Sequence, residues 1–202
     1  MLNNMAQFTQ TIQQNGGGHI LYFSNCEGEY VANAADYIVT GIKNGHHIVF
    51  VENDRIILKI AEKLFRRLTV QELKRIQFIN NFDFYFSNGN FHPVTIFNHF
   101  FDTLDPYYEQ GLSLRLWGHV EWGPQNEIER TLESFEREVD QLMPDMEVIA
   151  VCAYESDRLS YKLKKELMKC HGYLMTDHYA LLIPEMELAS AVEDAMDWTP
   201  EK

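Results

Sequence analysis

Hydrophobic residues are grouped along the chain in two patterns that alternate. Residues 19–24 and 47–51 are short apolar runs rich in aromatic and β-branched side chains, as is typical of buried strands. Between them, residues 27–44 carry apolar side chains at helical spacing, and Gly45 follows where a helix would end. This order predicts a strand–helix–strand unit with parallel strands.

The same alternation continues along the rest of the chain. It predicts strands at residues 76–79, 112–117, 148–154 and 179–183, and helices after Pro93, after Pro124 and at residues 159–170. We therefore predict an α/β fold with a mostly parallel central sheet and helices on both faces, in three layers. The helix after Pro93 is unusually aromatic, and we expect part of it to face a cavity or a partner.

Length and composition predict one folded unit. The 202 residues, of which 46% are hydrophobic, suffice for one substantial core. We divide the chain into a polar leader at residues 1–17, a single domain at residues 18–184 and an acidic tail at residues 185–202.

Charge and cysteine content narrow the class of protein. Thirty acidic against 17 basic side chains give a formal charge of −13, which disfavours nucleic acids and anionic membranes as partners. Three cysteines without C-x-x-C spacing suggest neither a disulfide framework nor a zinc finger. The first residues lack a signal-peptide pattern and no apolar run could span a bilayer, so we expect a cytoplasmic protein.

The first strand-to-helix turn, residues 24–29, stands where a phosphate-binding loop would be. It lacks the glycine frame and the lysine that such a loop needs. Glu27 and Glu29 lie instead in the first helical turn, where they would repel a phosphate. Two interpretations stay open for them: stabilisation of the helix end, or contact with a neutral or cationic ligand.

The segment at residues 114–124 combines charged side chains with two indole rings. By strand alternation Arg115, Trp117 and His119 share one face, and Glu121 and Trp122 follow in a loop. Such a mixture of charge and flat apolar surface favours ligand binding.

A structural interpretation of this segment is also open. A buried Arg115 needs a partner, and an ion pair with Glu27, Glu29 or Glu121 would provide one while the tryptophans pack in the core. His119 and Glu121 suggest a metal site, but no established ligand spacing is present, so we predict no metal and no cofactor. A nucleophile elbow is also missing, which argues against a hydrolase.

Several short motifs together resemble the MEDS family, the methanogen/methylotroph, DcmR-type sensory domain. They are residues 19–23, the helix end at 41–45, Asn88-Gly89-Asn90-Phe91-His92-Pro93, Arg115-x-x-Gly118-x-x-Glu121-Trp122, Phe135-Glu136, Cys152-x-Tyr154 and His171. The resemblance spans roughly residues 18–183. It departs from the family pattern at Gly172, where a proline is usual after the histidine.

The resemblance implies a RecA/KaiC-like fold that has lost its nucleotide-binding motifs and senses small organic compounds. We therefore predict a non-enzymatic sensory domain that binds such a ligand at the C-terminal ends of the strands and signals to a protein partner, with homodimerisation left open. The predicted ligand-binding residues are His19, Tyr22, Ser24, Glu27, Glu29, Arg115, Trp117, Glu121, Trp122, Tyr154 and His171. Two alternatives are a divergent RecA-class nucleotide-binding enzyme, with Glu155 as an acid near Mg²⁺, and a purely structural interaction module.

Overall fold

A computed structural model describes residues 5–183, so the predicted acidic tail lies outside the described residues. The helices are α1 (Met5–Gln14), α2 (Glu27–Lys43), α3 (Asp54–Leu64), α4 (Val70–Leu73), α5 (Asn81–Tyr85), α6 (Pro93–Glu109), α7 (Ile128–Met146) and α8 (Tyr161–Met168). The strands are β1 (Gly18–Ser24), β2 (His47–Glu52), β3 (Ile76–Asn80), β4 (Leu114–His119), β5 (Ile149–Glu155), β6 (Tyr173–Thr176) and β7 (Ala180–Leu182). Within the described part of the chain, no helix is both long and apolar enough to cross a bilayer.

The seven strands form one sheet in the order β3-β2-β4-β5-β1-β6-β7. Every neighbouring pair is parallel except β6 and β7, which are antiparallel. Strands β1, β2, β4 and β5 are almost continuously buried, which is the burial expected of parallel strands covered on both faces. The predicted α/β class is confirmed, while the likeness to the RecA/KaiC fold stays a prediction.

Two hydrophobic cores lie on opposite faces of the sheet. Helices α1, α2 and α3 pack on one face, where Tyr22 and Trp117 are buried. Helices α5 to α8 pack on the other face, around residues such as Leu21 and Phe135. Because side chains alternate along a strand, neighbours in β1 serve different cores, and this gives the three layers.

Helices α1, α4 and α5 and strand β6 are absent from the sequence-based description. The predicted polar leader contains α1, whose Phe8 and Ile12 are buried against the first core. Only three of its ten residues are buried. Because glutamines and threonines surround them, the segment is polar on average, and its composition alone did not predict a helix. At the other end, the strand expected at residues 179–183 is β7, and the sequence analysis did not predict β6 beside it.

Candidate functional site

A cleft of about 220 Å³ opens where the parallel strands end. Its walls include Ser24 at the end of β1, Asn53 after β2, His119 at the end of β4 and Glu155 at the end of β5. The first turn of α2 adds Glu27. In open α/β sheets this edge is where ligands collect, because the helix N-termini and strand-end loops converge there.

Beneath the cleft lies a buried chain of hydrogen bonds. The indole Nε1–H of Trp117 donates to the Tyr30 hydroxyl oxygen over 2.8 Å, and the Tyr30 hydroxyl donates to Glu52. The Nδ1 atom of His119 lies 2.7 Å from Glu52 Oε1, which also accepts the backbone and side-chain N–H groups of Asn53. Glu52 is fully buried, and these donors compensate its lost hydration.

This hydrogen-bonded chain raises the pKa of His119 and determines which of its ring nitrogens faces the cleft. Burial lowers the pKa of His119, but the hydrogen bond to Glu52 and the negative charge of Glu52 outweigh it, so the pKa is raised above 6.5. Burial, followed by the charge of Glu52, raises the pKa of Tyr30. With Nδ1 held by Glu52, Nε2 is the nitrogen of His119 that can contact a molecule in the cleft.

The N-terminus of α2, beside the cleft, is occupied by a side chain from far along the sequence. Asp177 Oδ2 accepts the backbone N–H groups of Asn25 and Cys26, both over 2.8 Å. Its Oδ1 accepts the hydroxyl of Tyr22 over 2.8 Å. A carboxylate thus sits where the turn of a phosphate-binding loop would hold a phosphate.

A second polar cluster lies on the other face of the sheet, between β1, β5, α7 and α8. His19 Nε2 lies 3.3 Å from Cys152 Sγ and 3.4 Å from Glu136 Oε2. His171 Nε2 lies 3.6 Å from the same Glu136 oxygen, and the rings of His19 and His171 stack with centroids 3.7 Å apart. Tyr154 donates its hydroxyl to Glu136 Oε1.

The groups of this cluster have shifted proton affinities. Burial, followed by the charge of Glu136, raises the pKa of the Cys152 thiol to about 12. Burial, followed by the charge of His19, lowers the pKa of His171 to about 3. One ligand atom from each of His19, Glu136, Cys152 and His171 lies within 4.8 Å of the others, so these four could hold a metal ion.

An apolar cavity of about 60 Å³ lies next to this cluster, between the sheet, α6 and α7. Phe97 and Phe100 of the aromatic helix line it, as do Tyr85 and Cys152. The expectation that part of this helix faces a cavity is confirmed. This volume suits only a very small molecule.

Comparison with known proteins identifies the family. The family model described as the MEthanogen/methylotroph, DcmR Sensory domain matches residues 18–172, which is most of the chain. The chain belongs to the MEDS family. The comparison with curated proteins gives no significant match. The matched MEDS region ends just before β6, so Asp177 lies outside it.

The residues that the sequence predicts for one MEDS ligand site form two groups. Ser24 and Glu27 line the strand-end cleft, and Tyr22 and Trp117 are buried close to its floor, on the face of α2. His19, Tyr154 and His171 form the second cluster, on the opposite face.

Four predicted site residues belong to neither group: Glu29, Arg115, Glu121 and Trp122, although the Trp122 ring lies 5.7 Å from that of Tyr154. Glu29 is exposed on α2 and does not line the cleft. Trp122 and Glu121 hold Arg158, whose guanidinium lies 3.9 Å from the centre of the indole ring and 2.8 Å from the Glu121 carboxylate. These contacts with Arg158 stabilise the loop after β4.

Arg115 lies at the opposite end of β4 from the cleft. The alternation that places it on the same face as Trp117 and His119 is confirmed, but it is the second residue of the strand. Its Nη1 donates to Thr40 over 3.2 Å and its guanidinium carbon lies 5.6 Å from the centre of the Tyr37 ring. Within the part of the chain that the structure describes, Nε and Nη2 have no hydrogen-bond partner, and burial lowers the pKa of Arg115.

The ion pair suggested for Arg115 is therefore wrong. Glu27 pairs with Arg55 over 2.7 Å and with Lys59, and Glu121 pairs with Arg158. Glu27 and Glu121 therefore pair with basic residues close to the C-terminal ends of the strands, whereas Arg115 lies at the start of β4.

The predicted ligand-binding residues left out six residues of these sites: Tyr30, Glu52, His119, Glu136, Cys152 and Asp177. Glu52 had a signal, since a carboxylate directly after an apolar run falls at the end of a strand. Asp177 had an indirect one, because Cys26 is a poor N-cap residue and makes no side-chain cap of its own. Glu136 and Cys152 gave none beyond the family motifs that contain them.

Proposed function

We propose that this MEDS domain is a non-enzymatic sensor that binds a small neutral or cationic organic molecule in the strand-end cleft. Membership of a sensory-domain family supports a sensory role. The observation that carries the proposal is the cleft itself: His119, oriented by the buried Glu52, forms part of its wall. A ring nitrogen in a fixed orientation can select a ligand by one directed hydrogen bond.

The charge around the cleft supports the ligand class. The carboxylate of Glu27 is neutralised by Arg55 and Lys59. Glu155 and Asp157 add negative charge to the cleft, and the contact of Glu155 with Arg158 is long, at 4.0 Å. This excess of negative charge attracts cations and repels anions such as nucleotides.

Occupation of the α2 N-terminus by Asp177 also supports an organic ligand rather than a nucleotide. The backbone N–H groups of Asn25 and Cys26, which would bind a phosphate, already have an anionic acceptor. A nucleotide would have to displace Asp177 and lose those bonds before gaining its own.

The second part of the proposal is signalling to a protein partner. Helix α6 exposes the aromatic rings of Phe101 and Tyr108, whose exposed fractions are 40% and 42%. Exposed aromatic rings on one helix favour a protein contact. A pull-down that compares the wild type with a Phe101→Ser, Tyr108→Ser variant tests this part separately.

Ligand binding is tested with a thermal-shift panel of small amines, quaternary ammonium ions, alcohols, carboxylic acids, ATP and GTP. We expect amines or alcohols to raise the melting temperature and to shift the NMR signals of the His119 ring. Asp157→Asn should weaken a cationic ligand several-fold, and Glu62→Gln, on the exposed face of α3, is the matched control. Arg115→Met should keep the response, because Arg115 lies at the far end of β4.

Two outcomes contradict the proposal. Stabilisation by ATP or GTP alone would favour the nucleotide-binding alternative. A stabilising amine or alcohol that leaves the His119 signals unmoved would show that the cleft is not the binding site.

A further inference from the structure

We propose that His19, Glu136, Cys152 and His171 bind one divalent transition-metal ion of the zinc type. The cluster lies on the opposite face of the sheet from the strand-end cleft, so the proposal does not rest on the proposed function. All four side chains are buried, and their ligand atoms lie within 4.8 Å of one another. They come from β1, α7, β5 and the turn before β6, four segments that only the fold brings together.

The orientation of the two imidazole rings is the first argument. His19 Nδ1 lies 3.1 Å from the carbonyl oxygen of Cys170, and His171 Nδ1 lies 2.7 Å from that of Leu167. A carbonyl oxygen only accepts, so each Nδ1 carries the hydrogen. In a neutral ring Nε2 then presents a lone pair to the centre of the cluster. Histidines that bind metals are held in this way, with the other ring nitrogen donating to a carbonyl or carboxylate.

Unpaired acceptors are the second argument. Glu136 Oε2 and His171 Nε2 are completely buried and have no hydrogen-bond partner among residues 5–183, although they lie only 3.6 Å apart. Two buried acceptors that face each other without a well-formed hydrogen bond are costly. One positive ion at the centre would satisfy both of them.

The distances are the third argument. At metal–ligand lengths of about 2.0–2.3 Å, the ligand atoms of a tetrahedral zinc site lie roughly 3.3–3.7 Å apart. The separations observed are 3.3 Å from His19 Nε2 to Cys152 Sγ, 3.4 Å from His19 Nε2 to Glu136 Oε2 and 3.6 Å from His171 Nε2 to Glu136 Oε2. Three separations between ligand atoms therefore already match those of a tetrahedral zinc site.

The chemistry of the donors selects the ion. A thiolate, two imidazoles and one carboxylate suit zinc and are poor ligands for magnesium or calcium, which prefer oxygen alone. A divalent ion with the Cys152 thiolate, the Glu136 carboxylate and two neutral histidines has no net charge, which removes the cost of a buried charge. Burial lowers the pKa of His19, but the neighbouring Cys152, Asp140 and Glu136 raise it overall, so His19 also carries a proton on Nε2 in the metal-free state. The ion takes the place of that proton and of the Cys152 thiol proton, and both are released to solvent.

Groups outside the four ligands hold them in position. Tyr154 donates its hydroxyl to Glu136 Oε1, which leaves Oε2 to face the histidines. The Asp140 carboxylate lies 3.5 Å from His19 Nδ1, one helical turn beyond Glu136 on α7. Such outer partners orient metal ligands, and their loss lowers metal affinity about 10–100-fold.

The test uses the full chain, freed of metal with a chelator and then loaded with Zn²⁺ or Co²⁺. We expect one metal ion per chain by mass spectrometry of the elements. The Co²⁺ form should show the intense visible bands of a tetrahedral site together with a thiolate-to-cobalt charge-transfer band. Cys152→Ser should abolish the charge-transfer band, whereas the matched controls Cys170→Ser and Cys26→Ser should keep it. Tyr154→Phe should keep the spectrum and weaken binding about 10–100-fold.

A second measurement covers a variant that fails to fold. In the wild type, bound Zn²⁺ should protect Cys152 from alkylation while Cys26, which is exposed, reacts at the same rate with and without metal. The proposal is overturned if the folded wild type binds no metal, if its Co²⁺ form lacks the charge-transfer band, or if Zn²⁺ leaves the alkylation of Cys152 unchanged.

Discussion

The Asp177 carboxylate accepts the backbone N–H of Cys26 over 2.8 Å, across 151 residues of sequence. It thereby caps a 17-residue helix whose own N-cap residue makes no side-chain cap. The same carboxylate holds Asn25 and the Tyr22 hydroxyl, so it ties β1 and α2 to the turn that follows β6.

Replacement of Asp177 by Ala removes this cap. We expect the free energy of unfolding to fall by roughly 2–4 kcal/mol, because two backbone N–H groups and the buried Tyr22 hydroxyl lose their acceptor. Urea denaturation measures the loss, and the exposed Asp145→Ala is the control. Added sulfate should restore part of the stability of Asp177→Ala only, since the vacated N–H groups can bind an anion. An effect no larger than that of the control would contradict the capping role.

The Tyr30 hydroxyl connects Trp117 to Glu52, and Tyr30→Phe removes that connection. The indole N–H then lacks an acceptor and Glu52 Oε2 lacks a donor, both in the interior. We expect a loss of about 1–3 kcal/mol in the free energy of unfolding. Tyr108→Phe, at an exposed ring, should change it by less than about 0.5 kcal/mol, and equal effects of the two variants would refute the importance of the connection.

His119 gives the stability of the domain a pH dependence of known sign. Its pKa in the folded state is raised, because the hydrogen bond and charge of Glu52 outweigh the lowering effect of burial. Protonated His119 therefore stabilises the folded state fully below its unfolded pKa of 6.5, and this contribution is lost as the pH rises through the folded pKa. The wild type should exceed His119→Gln in stability by more at about pH 6 than at about pH 9. Urea denaturation at both pH values checks the difference, and a constant difference would contradict it.

Gly118 leaves room for the hydroxyl of Tyr85 above β4. A β-carbon at this position would lie 2.6 Å from that oxygen, and both residues line the apolar cavity. We expect Gly118→Ala to cost roughly 1–3 kcal/mol and the added Tyr85→Phe to recover much of it, since the second change removes the clashing atom. Gly172→Ala, where a β-carbon meets open space, is the control. Additive losses in the double variant would show that the two residues do not clash.

The sheet and most helices could be predicted because their signals are local. Apolar runs and helical periodicity depend on residues a few positions apart, so β1, α2 and β2 follow directly from residues 19–51. Helix α1 was not predicted because most of its residues are polar. Strand β6 was not predicted because it has only four residues.

The site was predictable only where it follows from strand order. The ends of parallel strands share one edge, and this reasoning included Ser24 and Glu27, which line the cleft, but left His119 out of the predicted ligand-binding residues. It could not find Asp177, whose partners are more than 150 residues away. It also merged His19 and His171 with the cleft residues, because sequence motifs do not reveal which face of the sheet a side chain occupies.

The carboxylate at the start of α2 has a consequence for what the domain can sense. Asp177 belongs to the same chain as the N–H groups that it occupies, so its effective concentration there is set by the fold and is of the order of millimolar or higher. That concentration is independent of cell contents, and free phosphate or nucleotide has to compete with it. We therefore expect binding in the neighbouring cleft to depend on the concentration of its own ligand and to be independent of the cellular concentrations of phosphate and nucleotides.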